Sequence, residues 1–326
     1  MIRRTKKLAL AAAFAVIALG LAGCTSTGAT GSGEAAEYPT DMITLLVPGS
    51  AGSSNDSIAR QLVSVLEAEL GQTIVVENFP TEIQGMAELK HADPDGYTIA
   101  LAPQATASLI PLTQETGFAP GSDDFDVIAQ TDSSPVVLLV AADSPYETLD
   151  DLVSAKTGIS IAAPSGKGVP AVDIELLAQI SGLDYDYIGF PPGEQIVAVL
   201  NGTTDAALSQ TPLAAQYVAE GDLRALALFS DVALDGFDAP LAIDEGFDVT
   251  VAPTRLFYAP KGVPVDVIEK LAAAIQTAVE SDSFVEYAAA ATFIPSFLGP
   301  ADATAALDDA TVAAKEIANT LGWIAE

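Results

Sequence analysis

Glycines, hydroxyl side chains and a few charges gather at four short connections, each lying between an extended run and a helical pattern. The first runs Pro48-Gly49-Ser50-Ala51-Gly52-Ser53-Ser54-Asn55-Asp56, and the second Pro164-Ser165-Gly166-Lys167-Gly168-Val169-Pro170. The third is Pro191-Pro192-Gly193-Glu194 and the fourth Ser209-Gln210-Thr211-Pro212. Small residues at such a turn let a ligand approach the backbone N–H groups that open the next helix. Those groups, with the local hydroxyls, suit an anion such as a carboxylate. Ser, Asn and Asp also cap helices and tighten turns with no ligand involved. Four such turns on the same type of connection weigh toward a site. The candidate contacts are Gly49, Ser50, Ala51, Gly52, Ser53, Ser54, Asp56, Ser165, Gly166, Lys167, Gly168, Pro192, Gly193, Glu194, Ser209 and Thr211.

Other chemistries find little support. The chain has one His and one Cys in 326 residues, which argues against zinc sites, Cys–His nucleophilic pairs and disulfide frameworks. The glycines around Lys167 lack the spacing of a nucleotide-phosphate loop, and 49–52 lack that of a nucleophile elbow. An enzyme would have to work with carboxylates such as Asp56, Asp173 and Glu194, or with Lys167, so the reading is a binder that is not an enzyme and needs no cofactor or metal. Asp and Glu outnumber Lys and Arg 44 to 13, a formal net charge of −31, which disfavours nucleic acid as a partner. His91, beside the turn at 94–96, reads as a surface or helix-end residue, and Trp323 as a packing anchor for the last helix.

The elements that must position these turns follow from patterning. Residues 43–47, 73–77, 97–102, 136–140, 158–163, 185–190, 205–208, 224–229 and 255–259 read as strands. Residues 57–70, 171–180, 194–200, 213–220, 265–280 and 301–321 read as helices. The alternation predicts an α/β architecture with largely parallel sheets, in which ligands sit beyond the carboxyl ends of the strands.

The amino-terminal segment has a different purpose. Arg3, Arg4, Lys6 and Lys7 precede an apolar run at 8–20, the layout of an export signal. The run closes on Leu21-Ala22-Gly23-Cys24, which resembles the bacterial lipobox and predicts removal of 1–23 and lipidation of Cys24. Residues 24–37, rich in Gly, Ser, Thr and Ala, then read as a flexible tether. Removing 1–23 takes four basic and no acidic residues, leaving 9 positive against 44 negative groups, a net −35. Such an excess keeps an extracellular surface solvated.

Several stretches in order resemble the substrate-binding proteins of tripartite tricarboxylate transporters, the Bug-type receptors. They are 38–48 (YPTDMITLLVP), 49–60, 71–78 (GQTIVVEN) and 94–98 (PDGYT), then Asn201-Gly202 with Asp205, 221–227 (GDLRALA) and 257–264 (FYAPKGVP). The resemblance runs from Tyr38 to about Trp323. It implies a periplasmic-binding-protein type II-like fold, with two lobes joined by a hinge and a ligand cleft between them. Domain 1 is expected at 38–140 plus 252–326 and domain 2 at 141–251, with crossings near 136–141 and 249–257. The resemblance further implies an extracytoplasmic protein that captures a small organic carboxylate; with the lipobox-like Cys24 the expectation is a lipid-anchored monomer. It would deliver this ligand to a membrane permease of one large and one small subunit; the alternative is a sensory protein signalling to a membrane kinase. The family's A-G-G-G appears as Ala51-Gly52-Ser53-Ser54, its G-S-S-G-N-G-S-P as 163–170 with Lys167 for Asn, and its N-R-P-G-A-G-G as 78–85 with most glycines lost. Phe190 stands where a polar or basic residue is frequent. These departures fall on the ligand loops, so ligand identity is the part the resemblance transfers least.

Overall fold

The computed structural model describes residues 38–49, 51–155, 158–164, 168–191, 193–234, 237–320 and 322–324. The export segment, Cys24, the tether, Ser50, Ser165, Gly166, Lys167 and Pro192 lie outside the described residues. Residues 38–326 cluster as one unit.

In chain order the elements begin β1 (Ile43–Pro48), α1 (Ser54–Leu70), β2 (Ile74–Phe79), α2 (Glu82–His91), β3 (Thr98–Pro103), α3 (Gln104–Ser108), α4 (Ile110–Thr113) and β4 (Phe125–Ser133). There follow β5 (Val136–Ala141), α5 (Leu149–Ala155), β6 (Ile159–Pro164), α6 (Val169–Ser181), β7 (Tyr185–Phe190), α7 (Glu194–Leu200), β8 (Ala206–Gln210), α8 (Thr211–Glu220) and β9 (Leu223–Phe229). After a short 3-10 turn at Ile243–Glu245 come β10 (Thr254–Pro260), α9 (Val265–Val279), α10 (Asp282–Ala290), β11 (Ile294–Leu298) and α11 (Pro300–Thr320).

The strands form two sheets, ordered β11-β4-β10-β3-β1-β2 and β7-β6-β8-β5-β9. β1 runs parallel to β2 and β3, and β6 parallel to β7 and β8. β10, β11 and β5 pair antiparallel with their neighbours, so the sheets are mixed where largely parallel ones were expected. Two of these, β5 and β10, directly follow the two passages between sheets, where the chain must reverse direction. The expected domain edge at residue 140 falls inside the second sheet: β5 pairs with β8 and β9 from Val136 onward. The chain therefore changes sheets between Ser133 and Val136.

Each sheet is covered on both faces. One face of the first sheet packs on α1, α9 and α10 through Leu62, Leu66, Leu271, Ile275 and Phe284; the other packs on α2 and α11 through Met86, Leu89 and Leu307. The second sheet is flanked by α5 and α6 through Leu152, Ile174 and Leu177, and by α7 and α8 through Ile196, Val199 and Ala214. Fully covered sheets make near-continuous apolar strands, as in Leu45 to Val47 and Val136 to Val140, all buried. The helices end where the sequence supplies left-handed caps: Gly71 at φ 66° after α1, Gly182 at 75° after α6, Gly221 at 78° after α8. His91 ends α2 and is exposed, and Trp323 packs against a small apolar cluster with Leu109, Val172 and Ala314.

Candidate functional site

Because β1, β2 and β3 run in one direction, their following turns lie on one edge of the first sheet. The turns after β6, β7 and β8 share an edge of the second sheet for the same reason. α1 starts at Ser54, three residues earlier than its periodicity suggests, so Ser54 and Asp56 belong to its first turn. Ser53 is the N-cap and its Oγ accepts from the Asp56 N–H at 3.4 Å. The Asp56 carboxylate, nearly buried, accepts from Gly52 N–H at 2.8 Å, Asn78 Nδ2 at 3.0 Å and Arg60 Nε at 3.0 Å. The Arg60 guanidinium holds this carboxyl down at about 2, helped by the Gly52 and Asn78 donors against the cost of burial. The turn thus folds back on its own carboxylate. Gly49 sits at φ 139°, a conformation that favours glycine, and donates its N–H to the Phe79 carbonyl at 3.0 Å; a Cβ there would lie a tight 3.0 Å from Ser53 Oγ. Ala51, Gly52 and Ser54 are exposed at the tip.

Under this turn lies a residue that patterning did not single out. Arg255, at the start of β10 and 4 % exposed, donates from Nε to Asn55 Oδ1 at 2.9 Å and from Nη2 to Ser54 Oγ at 2.8 Å. Its Nη1 reaches Ser134 Oγ at 3.2 Å and makes a close ion pair with the fully buried Asp132. Thr131 Oγ1 donates to the other Asp132 oxygen at 2.8 Å. Arg255 therefore joins the β1–α1 turn to the strand ends flanking both passages between sheets. Those passages are bonded to each other, Ser134 N–H to the Pro253 carbonyl at 2.8 Å. Glu82, first residue of α2, accepts from Thr106 Oγ1 at 2.7 Å, and burial pushes its carboxyl up. No motif flagged Glu82 or Arg255. The only sequence signal for Arg255 was a charge inside an apolar strand of a chain poor in Arg.

The second edge is built differently. α6 opens at Gly168, α7 at Gly193 (φ 92°) and α8 at Gln210, each without a side-chain cap hydrogen bond. Pro170 and Pro212 occupy early positions in α6 and α8, where the missing N–H costs nothing. Glu194 is exposed. Ser209 is buried, accepting from Gln195 Nε2 at 3.4 Å and donating to the Gln210 carbonyl at 3.2 Å. Thr211 donates from Oγ1 to the Thr292 carbonyl at 2.6 Å and from its N–H to the Pro135 carbonyl at 3.1 Å. It therefore ties the second edge to a first-sheet turn and to one passage. Asp173, in the second turn of α6, is fully buried with both carboxyl oxygens unpartnered, as is Gln195 Oε1. Burial pushes the Asp173 carboxyl well up. Phe190 is half-buried and packs with the α7 and α8 side of the second sheet. Among the described residues no group of three or more His, Cys, Asp or Glu is placed to hold a metal ion, and no helix is long and apolar enough to cross a membrane.

The arrangement is two sheets, each covered by helices, with turn-bearing edges brought together by paired passages. A sequence model of the tripartite tricarboxylate transporter family receptor matches residues 58–322. The chain belongs to this family. Among relatives of this receptor, a UPF0065 protein of Bordetella pertussis is 29 % identical over 269 residues, covering 79 % of this chain and 83 % of that protein. The crystal structure of a TctC solute-binding protein from Polaromonas superposes with a TM-score of 0.75 at 24 % identity, over 87 % of this chain and 99 % of that one. An R. palustris protein solved with adipate gives a TM-score of 0.76 at 20 % identity, over 88 % and 99 %. These structures share the fold of the receptor, the α/β two-lobed architecture of periplasmic solute-binding proteins.

Proposed function

We propose that this receptor closes its two lobes on a small organic carboxylate and delivers it to a membrane permease of one large and one small subunit. The observation that carries the reading is the second edge, where three helices open with no side-chain hydrogen bond at their caps. Helix starts carry partial positive charge and orphan donors, and a carboxylate satisfies both. The adipate held by the R. palustris neighbour supports the same ligand class. On this reading Gly168, Gly193 and Glu194, with Ser165, Gly166, Lys167 and Pro192, form the second-lobe wall. Gly49 to Ser54 form the opposite wall on a turn that Arg255 holds in place. Asp56, Ser209 and Thr211 act from behind, fixing backbone rather than touching ligand, since their polar atoms are engaged within the protein.

The lobes meet through the passages at 134–135 and 251–253, and these serve as the hinge. Closure needs a ligand that interacts more strongly with the closed state than the open one. Contacts from both edges to one carboxylate supply that difference. Export by residues 1–23 and lipidation of Cys24 would hold the receptor on the outer face of a membrane, beside its permease. Cys24→Ser should then release it into the medium or periplasm, as read by fractionation.

The deciding experiment is a thermal-shift and calorimetry panel of mono-, di- and tricarboxylates, amino acids, sugars and cations. At a hundredfold excess over Kd, a ligand of the folded state adds about 2.7 kcal/mol. For a chain of this size that is a rise in Tm of about 5–10 °C. A rise with a sugar or cation and with no carboxylate would refute the reading. Lys167→Asn then apportions recognition. A ten- to hundredfold loss of affinity, about 1.5–3 kcal/mol, is expected if the ammonium bonds the ligand away from water, and less than threefold if it faces solvent.

A further inference from the structure

Beside the turns, between the end of β3 and the start of α6, a partly open, mostly apolar pocket lies against the second passage. Leu109, Val169, Val172, Val251, Ala310 and Ile317 form much of its wall, drawn from α4's approach, α6, the passage and α11. The polar groups on that wall are already engaged. Gln104 donates from Nε2 to the Ala306 carbonyl at 3.0 Å and accepts at Oε1 from Thr254 Oγ1 at 3.1 Å. Ser108 Oγ donates to the Gln104 carbonyl at 3.1 Å. A polar solute placed there would lose its water and find few partners, whereas a hydrocarbon would gain contacts on every side.

One wall residue has a second property. Val169 is the first residue of α6, a 13-residue helix whose Gly168 cap supplies no side-chain hydrogen bond. The pocket thus begins where the positive end of a helix begins. From these two observations together, the geometry points to an amphipathic acid as the ligand: its carboxylate lies at the α6 start, and its hydrocarbon body fills the pocket. This inference rests on the carboxylate reading and names the class of acid. It also gives the body a part in closure, because the pocket is complete only while α6 of the second lobe stands against α11 and the β3–α3 turn of the first.

The test uses the full chain and sodium acetate, butanoate, hexanoate and octanoate, with malate as a hydroxylated comparison, by isothermal titration calorimetry. Burial of each methylene is expected to tighten binding about fourfold until the pocket is filled, with hexanoate and octanoate above malate. A310L and A313L place larger side chains on α11 at the pocket, one at a half-buried and one at an exposed position, where helix folding tolerates leucine. In both variants the chain-length gradient should flatten, octanoate losing tenfold or more. A flat series in the unaltered protein, or an unchanged gradient in both variants, overturns the apolar subsite while leaving the carboxylate reading intact. Binding of an uncharged or cationic solute with no acid of the series overturns both.

Discussion

At the first-sheet edge the helices that follow β1 and β2 are capped by the protein's own side chains, whereas at the second-sheet edge the helices that follow β6, β7 and β8 open without a side-chain cap. Ser53 caps α1, Thr81 caps α2, and Arg255 spreads its donors over Ser54, Asn55, Asp132 and Ser134. Across from them α6, α7 and α8 have no side-chain cap, while Asp173 and Gln195 keep buried oxygens without partners. The contrast separates two requirements of a two-lobed receptor. One wall must be rigid enough to present a fixed shape, and satisfied polar networks supply that rigidity. The other must gain something when a ligand arrives, and helix starts whose positive ends carry no side-chain cap supply that gain.

The largest expected effect strikes the rigid wall. Arg255→Met leaves Asp132 charged, buried and without its cation, a loss of about 3–5 kcal/mol. In chemical denaturation the midpoint should fall accordingly, with the slope unchanged. Arg255→Lys should recover only part of this, because an ammonium cannot span Ser54, Asn55 and Asp132 at once. The double variant Arg255→Met with Asp132→Leu separates fold from function. An apolar pair of similar volume should restore most of the stability, while the β1–α1 turn loses its tie and ligand affinity stays reduced. Full recovery of affinity in the double variant would show that Arg255 serves only its ion pair.

The open wall should respond in the opposite direction. Asp173→Leu removes a buried, unpartnered carboxyl and should stabilise the protein by about 1–3 kcal/mol, some 2–4 °C in Tm per kcal/mol. The sign of the pH dependence follows from the raised carboxyl. The folded state keeps its proton where the unfolded state has released it, so stability is greatest below the unfolded value near 3.9 and declines as pH rises above it. The gain from Asp173→Leu should therefore be small at pH 3.5 and larger at pH 7. An equal gain at both values would mean that the carboxyl is not what the site is costing.

Much of this contrast was absent from the sequence for physical reasons. The strands and helices next to the turns were legible because apolar runs and glycine stops mark them: 185–190 and 194–200 coincide with β7 and α7. β4 was missed because its carboxyl-terminal half, Gln130-Thr131-Asp132-Ser133, is polar, although Gln130 to Asp132 are buried. Within that stretch Asp132 receives Arg255, which is 123 residues away in sequence, and such pairings have no local signature. Antiparallel pairing of β5 and β10 was likewise invisible, since it follows from where the chain crosses between sheets. The turns themselves were found as four candidate loops. Which side chains face inward and which cap helices depends on the fold: Thr211 and Ser209 point to backbone carbonyls that patterning cannot supply.

A smaller effect probes the first edge through acid. The Asp56 carboxyl is held at about 2 by Arg60, Gly52 and Asn78, against about 3.9 in an unfolded chain. Its contribution is complete above pH 4 and is lost as pH falls toward 2, because the unfolded state takes up the proton first. Asp56→Asn should flatten the fall in Tm between pH 4 and pH 2.5 while altering Tm less at pH 7 than Arg255→Met does. A fall as steep in the variant as in the unaltered protein would assign the acid sensitivity to other carboxylates.

The smallest change in stability is also the sharpest test of the open edge. Gly168 caps α6 with φ −104° and ψ −176°, an extended conformation that any residue adopts and that N-caps normally use. Gly168→Asp puts a carboxylate at this helix start and supplies an acceptor for its N–H groups. Relative to glycine, an N-cap Asp adds only a few tenths of a kcal/mol, so Tm should rise by about 1 °C or less. Its effect on binding should be far larger. If the α6 start receives the ligand's carboxylate, the new side chain occupies the same donors and adds a like charge beside them, and affinity should fall tenfold or more. Gly168→Ser caps the helix without the charge and should fall between the two. A ligand affinity unchanged in both variants, with the small rise in Tm intact, would mean that α6 is uncapped for reasons of backbone geometry alone, leaving α7 and α8 to carry the recognition.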